Sequence, residues 1–225
     1  MKPPTVTVHS LGSEREPVAV VENFANDPDV LRIEAGRKVF KCSDDYYPGL
    51  KAPVSETYLA AQHALLATVL RQVFGIAGEV SVLDVCYAMV TTPAAELTLQ
   101  QCIPHVDGLE PDRIALIHYL VPQGCDGTAF YRHRSTQFET VDHARSEQYF
   151  ASLNRDLRIH GHPPPAYLHG DTPIFERIGH FAGGYNRALI YRGRLLHCGA
   201  IGINSQLSAT PGTGRLTITG FFAAG

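Results

Sequence analysis

The sequence predicts an α+β protein in which N-terminal helices precede a double-sheet jelly roll. Three observations lead there. The clearest helical pattern lies before residue 79, and seven short β-rich segments follow it. Twenty Gly and fifteen Pro among 225 residues supply the turns that many short strands need. With 44% hydrophobic and 18% charged residues, the chain can bury a substantial core. No internal repeat or low-complexity linker divides it. Residues 1–225 are therefore expected to form one domain, with 1–78 as an N-terminal elaboration and 79–225 as the core.

The elements follow in order. Residues 16–28 ("EPVAVVENFANDP") read as a strand running into a turn. Asn26 or Asp27 can cap the helix beyond it, and Pro28 suits that helix's first turn. Residues 55–75 form the strongest helical segment, capped by Ser55 and ended by Gly75. Leu59, His63, Leu66, Leu70 and Val73 share one face of it. The β-rich segments are "EVSVLDVCYAMV", "LTLQQCIPH", "RIALIHYLV", "GTAFYRH", "PIFERIGHF", "NRALIYRGRLLH" and "GRLTITGFF". One helical insertion interrupts them at about 133–170, with its helix at 140–157 and Thr140 as the cap.

Composition excludes several classes. A net charge of −3 and a pI near 6.4 leave no nucleic-acid footprint. The N-terminal stretch lacks the apolar run of a signal peptide, and no segment approaches a membrane span, so a cytoplasmic protein is expected. Five scattered cysteines without a CxxC pair read as reduced thiols, not as a zinc ribbon or a disulfide framework.

The chemistry starts at "IPHVD". His105 and Asp107 stand at i and i+2, and on an extended chain such residues point to one face. His197 closes the apolar run "NRALIYRGRLLH". Two imidazoles and one carboxylate make the facial triad suited to non-haem Fe(II), with positions left for a bidentate 2-oxo acid and O2. Further on, Arg215 and Thr217 share a strand face, where a guanidinium beside a hydroxyl can grip a carboxylate. Tyr119 is a second candidate donor to that carboxylate, and Tyr87 is the alternative.

His105-Val-Asp107, His197 and Arg215-Leu-Thr217 together resemble the HxD…H…RxS/T pattern of the Fe(II)/2-oxoglutarate-dependent oxygenases. "IHYLVPQ", "GCDGTAFY" and "YNRALIYRGRLLH" are similar to the prolyl-4-hydroxylase-like branch, and "EPVAVVENFAND" to its opening strand and helix cap. The resemblance runs from about residue 17 to the C-terminus. Three segments, "GDTPIFERIG", "YNRALIYRGRLLH" and "GRLTITGFF", are also similar to an uncharacterised bacterial family of the same superfamily. The resemblance implies a double-stranded β-helix of cupin-like type. It implies Fe(II) held by His105, Asp107 and His197, and 2-oxoglutarate held by Arg215 with Thr217 and Tyr119. Its reaction is decarboxylation of 2-oxoglutarate to succinate and CO2, coupled through O2 to oxidation of a substrate. Related halogenases replace the carboxylate ligand with a small residue, so Asp107 favours hydroxylation or desaturation.

Other residues carry smaller expectations. His118 should face away from Tyr119, His160 and His162 should be solvated, and Cys198 should pack away from the metal. Arg132, Arg134, Arg192 and Arg194 either meet an anionic substrate or form salt bridges. Asn186 can order the strand leading to His197. Residues 40–54 and 133–170 are expected to shape the substrate pocket, with Tyr46 and Tyr47 lining it, and residues 90–100 to cover the site. The partner is an unidentified small molecule or peptide. Two rivals stay open. A zinc hydrolase could use the same three ligands, although it lacks a placed general base. A jelly-roll binding module could keep the site without turnover.

Overall fold

The computed structural model describes residues 2–43, 46–202, 205 and 207–224. In chain order these form β1 (Thr5–Leu11), β2 (Glu16–Glu22), α1 (Pro28–Ala35), β3 (Lys41–Cys42), β4 (Gly49–Pro53) and α2 (Glu56–Phe74). They continue as β5 (Val80–Val90), β6 (Arg113–Tyr119), β7 (Cys125–His133), α3 (His143–His160), β8 (Phe175–Gly183), β9 (Arg187–Arg192), β10 (His197–Gly199) and β11 (Leu216–Ala224). Two short 3-10 turns, Ala94–Glu96 and Leu99–Cys102, lie between β5 and β6. The strands build an eight-stranded sheet in the order β1-β2-β9-β6-β11-β5-β4-β3 and a three-stranded sheet in the order β10-β7-β8. Every pairing is antiparallel.

Alternation along the strands gives the large sheet two distinct faces. Ala52, Tyr87, Ile218, His118 and Ala188 form one cross-strand row. That row joins a cluster with Ala35 of α1 and Tyr58, Leu66, Val69, Leu70 and Phe74 of α2. The adjacent row, Lys51, Ala88, Thr217, Tyr119 and Arg187, faces the other way. There Val18, Val20, Leu189 and Tyr191 of the large sheet meet Phe130 of the small one. The outer face of the small sheet packs Ala129, Tyr131 and Cys198 against Tyr149, Leu153 and Leu157 of α3. Helices thus cover both outer faces, and an apolar cluster fills much of the interface between the sheets. Strand β4 can join the sheet because Gly49 has no side chain. A Cβ there would fall 1.9 Å from the Met89 carbonyl oxygen.

Several sequence expectations need correction. Four strands precede residue 79 and belong to the large sheet, so the helices do not come first. "LTLQQCIPH" is not a strand. Thr98 and Gln101 form a capping box there, and a 3-10 turn follows. Asp142, not Thr140, caps α3 by accepting from the Arg145 N–H at 2.9 Å, because the Thr140 hydroxyl is committed to Glu14. Of the two caps expected for α1, Asp27 is the one used, accepting from the Val30 N–H at 3.2 Å. Ser55 sits at the start of α2, but its hydroxyl pairs with Thr57. The buried face of α2 is Tyr58, Gln62, Leu66, Val69, Leu70 and Phe74, while His63 is exposed.

Candidate metal and carboxylate site

Pro104 fixes its own φ and disfavours helix at Ile103, so the chain leaves the 3-10 turn extended. His105 then lies opposite His197 of β10, and each backbone N–H donates to the other's carbonyl at 2.9 Å. The next polar residue is clamped as well. The Asp107 N–H donates to the Gly193 carbonyl at 2.7 Å, and Arg113 Nη1 donates to the Asp107 carbonyl at 3.0 Å. Val106, between them, turns into the apolar cluster under α3. One short extended segment therefore sends both ligand-type side chains to the same side.

Nε2 of His105 lies 3.7 Å from Asp107 Oδ1, and Nε2 of His197 lies 3.4 Å from Oδ2. One ligand-type atom from each residue falls within 4.8 Å of the others. His197 Nδ1 donates to the Leu195 carbonyl at 2.8 Å, which leaves the Nε2 lone pair for a metal. Asp107 Oδ2 is buried and has no hydrogen-bond partner among the described residues. A buried orphan carboxylate oxygen is costly, and a cation between the three side chains would satisfy it. Burial pulls His197 down to about 4. Lost hydration, then the neighbouring His197, pulls His105 to about 4 as well, against the opposing pull of Asp107. Burial raises Asp107 to about 6, against the opposing pull of His105, Arg113 and Lys51. Both imidazoles are thus held neutral, the form that ligates metal.

Arg215 stands just before β11 and is 8% exposed. Its Nη2 donates to the Gly127 carbonyl at 2.9 Å, and its guanidinium lies 5.5 Å from the centre of the Tyr119 ring. Its Nε has no partner, and no carboxylate forms an ion pair with it among the described residues. Tyr191 lies against the triad. Its ring meets His197 edge-on at 4.8 Å, and Arg215 reaches the same strand as His197, since a Cβ on Gly199 would lie 3.9 Å from its Nη2.

The other expected donors divide by face. The Thr217 hydroxyl donates to the Ala88 carbonyl at 3.1 Å. The Tyr119 hydroxyl is 2.6 Å from Thr128 Oγ1, and burial pushes its pKa up to about 12. Tyr87 points to the helical face, where its hydroxyl donates to the Leu31 carbonyl at 3.0 Å and to Glu34 at 3.2 Å. His118 also lies on that face, against Phe24 and Tyr58. Cys198 packs beneath α3, and His160 and His162 are exposed.

The four arginines considered for substrate are engaged within the chain. Arg132 pairs with Glu139 and Glu176, Arg134 with Asp171, and Arg194 with Glu16. Arg192 donates to the Phe74 carbonyl and lies over its ring. A cavity of about 680 Å³ opens beside the Arg215 neighbourhood, lined in part by Cys125, Asp126, Tyr167, His169, Ile201 and Leu207. Tyr167 donates to the Thr92 carbonyl at 2.7 Å, so the segment after β5 borders this cavity, as does Ala94. Positions 44 and 45 of the 40–54 segment lie outside the described residues. Tyr46 is exposed, whereas the Tyr47 phenol oxygen is buried; sequence reasoning did not separate the two.

Fold and site together define an α+β protein whose antiparallel sheets carry a His–Asp–His group able to hold a metal ion. Across residues 2–222 the chain matches a family of unknown function, DUF6445, and it belongs to that family. No curated protein matches it. Among solved structures, it is similar to HygX from Streptomyces hygroscopicus, crystallised with nickel, 2-oxoglutarate and hygromycin B bound. Identity is 13% over 92% of this chain and 82% of that one, with a TM-score of 0.51. The non-haem α-ketoglutarate-dependent epimerase SnoN from nogalamycin biosynthesis is 12% identical over 93% of this chain and 77% of its own, with a TM-score of 0.49. At such identity the likeness to HygX is one of fold.

Proposed function

We propose that the chain is an Fe(II)- and 2-oxoglutarate-dependent dioxygenase of the double-stranded β-helix type, oxidising a small-molecule substrate by hydroxylation. The observation that carries this reading is Arg215, a buried cation without an acidic partner among the described residues, set beside β10, the strand that begins with His197: a Cβ on Gly199 would lie 3.9 Å from its Nη2. A lone buried guanidinium costs stability unless an anion completes it. A dicarboxylate reaching from the triad to Arg215 would do so. HygX, which shares the fold and was crystallised with 2-oxoglutarate, supports the same reading.

In this reading His105, Asp107 and His197 hold the metal, and Arg215 takes the far carboxylate of the cosubstrate. Bound iron would supply the coupling of 2-oxoglutarate decarboxylation to substrate oxidation by O2. The chain's share is positional. Leu195 fixes the His197 tautomer, Gly193 and Arg113 fix the Asp107 backbone, and Tyr191 packs against the His197 ring. A zinc hydrolase would leave Arg215 without a task.

The test is anaerobic titration of the protein with Fe(II) and 2-oxoglutarate, followed by visible absorption. A weak charge-transfer band should appear in the wild type. Arg215→Ala should weaken 2-oxoglutarate binding by about 10- to 100-fold and leave metal content unchanged, since a charged buried hydrogen-bond partner is lost. Absence of the band at saturation overturns the assignment. Succinate release without added substrate separates an enzyme from a binding module.

A further inference from the structure

We infer that the substrate lies on an uncovered part of the inner sheet face, against Thr219 and Phe221, and that it is a small molecule with an apolar body and an amine received by Asp84. The inference rests on the dioxygenase reading above and adds the substrate's place and chemical class.

The large cavity is not that place. His197, Gly199 and Ile201 follow one another at alternate positions. A Cβ on Gly199 would lie 3.9 Å from Arg215 Nη2 and 3.7 Å from Ile201 Cδ1, and Ile201 lines the cavity of about 680 Å³. Seen from His197, the cavity thus begins beyond Arg215. A dicarboxylate seated between the two would close that route, so substrate has to approach from the other side of the triad.

That side is open. Phe181 of β8 meets His9 of β1, Phe130 of β7 and His197 of β10 meet Tyr191 of β9, and Arg113 of β6 holds the Asp107 carbonyl. The small sheet, with residues 105–107 as its rim, therefore spans the large sheet from β1 to β6. The His105 side chain at that rim is 52% exposed. Strand β11 comes next. Along its inner face Arg215 and Thr217 are buried, whereas Thr219 and Phe221 are partly exposed. On its helical face Ile218, Gly220 and Phe222 are all buried, so the exposure is not fraying of the strand end.

Register carries this surface from the triad to a charge. Tyr191, Ala115, Phe221 and Asp84 form one cross-strand row. At about 4.8 Å per strand, Phe221 lies about 10 Å from Tyr191, and Asp84 one strand further. Strand β4 ends at Pro53, opposite Cys86, so Asp84 stands past it on an unpaired edge of β5. Its carboxylate accepts from Cys86 Sγ at 3.8 Å and forms no ion pair among the described residues. Lys51, a cation of the same face, stands opposite Ala88, four residues from Asp84 along β5, with its ammonium 5.4 Å from the Tyr47 ring centre. An apolar floor with a carboxylate at its open rim suits an amine and disfavours an acid.

The experiment titrates the anaerobic protein, loaded with Fe(II) and 2-oxoglutarate, with 4-phenylbutylamine, 4-phenylbutanol and 4-phenylbutanoate at low salt. Calorimetry and the change in the charge-transfer band report binding. The amine should bind about two- to fivefold more tightly than the alcohol, and the acid most weakly. Asp84→Asn should abolish that order and leave alcohol, Fe(II) and 2-oxoglutarate binding unchanged. Phe221→Ala should weaken amine and alcohol alike by about three- to tenfold, again without touching 2-oxoglutarate. The inference is overturned if no probe binds, if amine and alcohol bind equally, or if the preference survives Asp84→Asn. A Phe221→Ala loss confined to 2-oxoglutarate overturns it as well. Absence of the charge-transfer band before any probe is added overturns the dioxygenase reading itself.

Discussion

His118 has no exposed surface, and its two ring nitrogens meet Asn186 Oδ1 at 3.0 Å and the Tyr58 hydroxyl at 3.2 Å. Asn186 Oδ1 is an acceptor and already takes the Ala25 N–H at 2.8 Å, so Nε2 of His118 carries the proton and Tyr58 donates to Nδ1. The imidazole is therefore neutral, and burial pulls its pKa to about 4. The sign follows directly. An unfolded histidine takes its proton near pH 6.5, whereas the folded one waits until about 4, so acid favours the unfolded chain. The stability His118 confers is complete above pH 6.5 and is lost as the pH falls toward 4. Denaturant unfolding at pH 7 and 4.5 should show about 2–3 kcal/mol less pH dependence in His118→Gln than in the wild type. Identical pH dependence would mean that His118 is already charged in the folded protein. Sequence alternation separated His118 from Tyr119, because period two is visible in "IHYL". The knot with Asn186 was beyond it, since its partners lie 68 and 161 residues away.

At the level of elements, the end of α2 was the best signalled. Gly75 adopts φ 72°, and the Ile76 N–H reaches back to the Leu70 carbonyl at 3.0 Å, closing the last turn. Ile76 packs against the cluster that contains Leu70. A Cβ on Gly75 would meet nothing within 4 Å, so Gly75→Ala tests backbone strain alone. It should cost about 1 kcal/mol and lower Tm by about 2–4 °C in a chain of this length. An unchanged Tm would show that the left-handed turn relaxes without cost. The face of α2 was less legible than its end. Leu59 and Val73 look as apolar as Leu66 and Leu70, so the pattern lacks contrast, and the inward position goes to Tyr58 because its hydroxyl finds His118. Strand β1 gave no signal, since all but its last residue are exposed. "LTLQQC" imitates strand alternation, yet its capping box shortens it into a 3-10 turn.

Across the whole molecule, the site is assembled from a loop, the small sheet and the edge of a strand in the large sheet. Its residues were readable because ligand chemistry restricts which side chains appear in sequence order. What holds the two sheets in register was not readable, because ion pairs have no period. The clearest such contact is Glu139, which is fully buried and accepts from the Ser13 N–H at 2.9 Å, the Glu14 N–H at 2.9 Å and Arg132 Nε at 2.8 Å. Ser13 and Glu14 belong to the β1–β2 turn, and β2 pairs with β9 of the large sheet. The Glu139 carbonyl accepts from the Leu196 N–H at 2.9 Å, one residue before His197 of the small sheet. One side chain and its own backbone thus link the N-terminal hairpin to the ligand strand. Burial raises the Glu139 pKa, but the Glu14 and Ser13 N–H groups and Arg132 outweigh it and hold the carboxyl below its ordinary value. Its stabilisation is therefore present above the usual glutamate range and fades as acid protonates it. Glu139→Ala should cost about 3 kcal/mol in urea unfolding at pH 7, the low end for a broken buried pair, because Arg132 keeps 18% of its side chain exposed. Metal affinity should fall with it, since Leu196 carries His197. Glu176→Ala removes the other carboxylate on Arg132, at 3.1 Å and 39% exposed, and should cost less than about 1 kcal/mol. Equal losses in the two variants would refute a latch centred on the buried carboxylate.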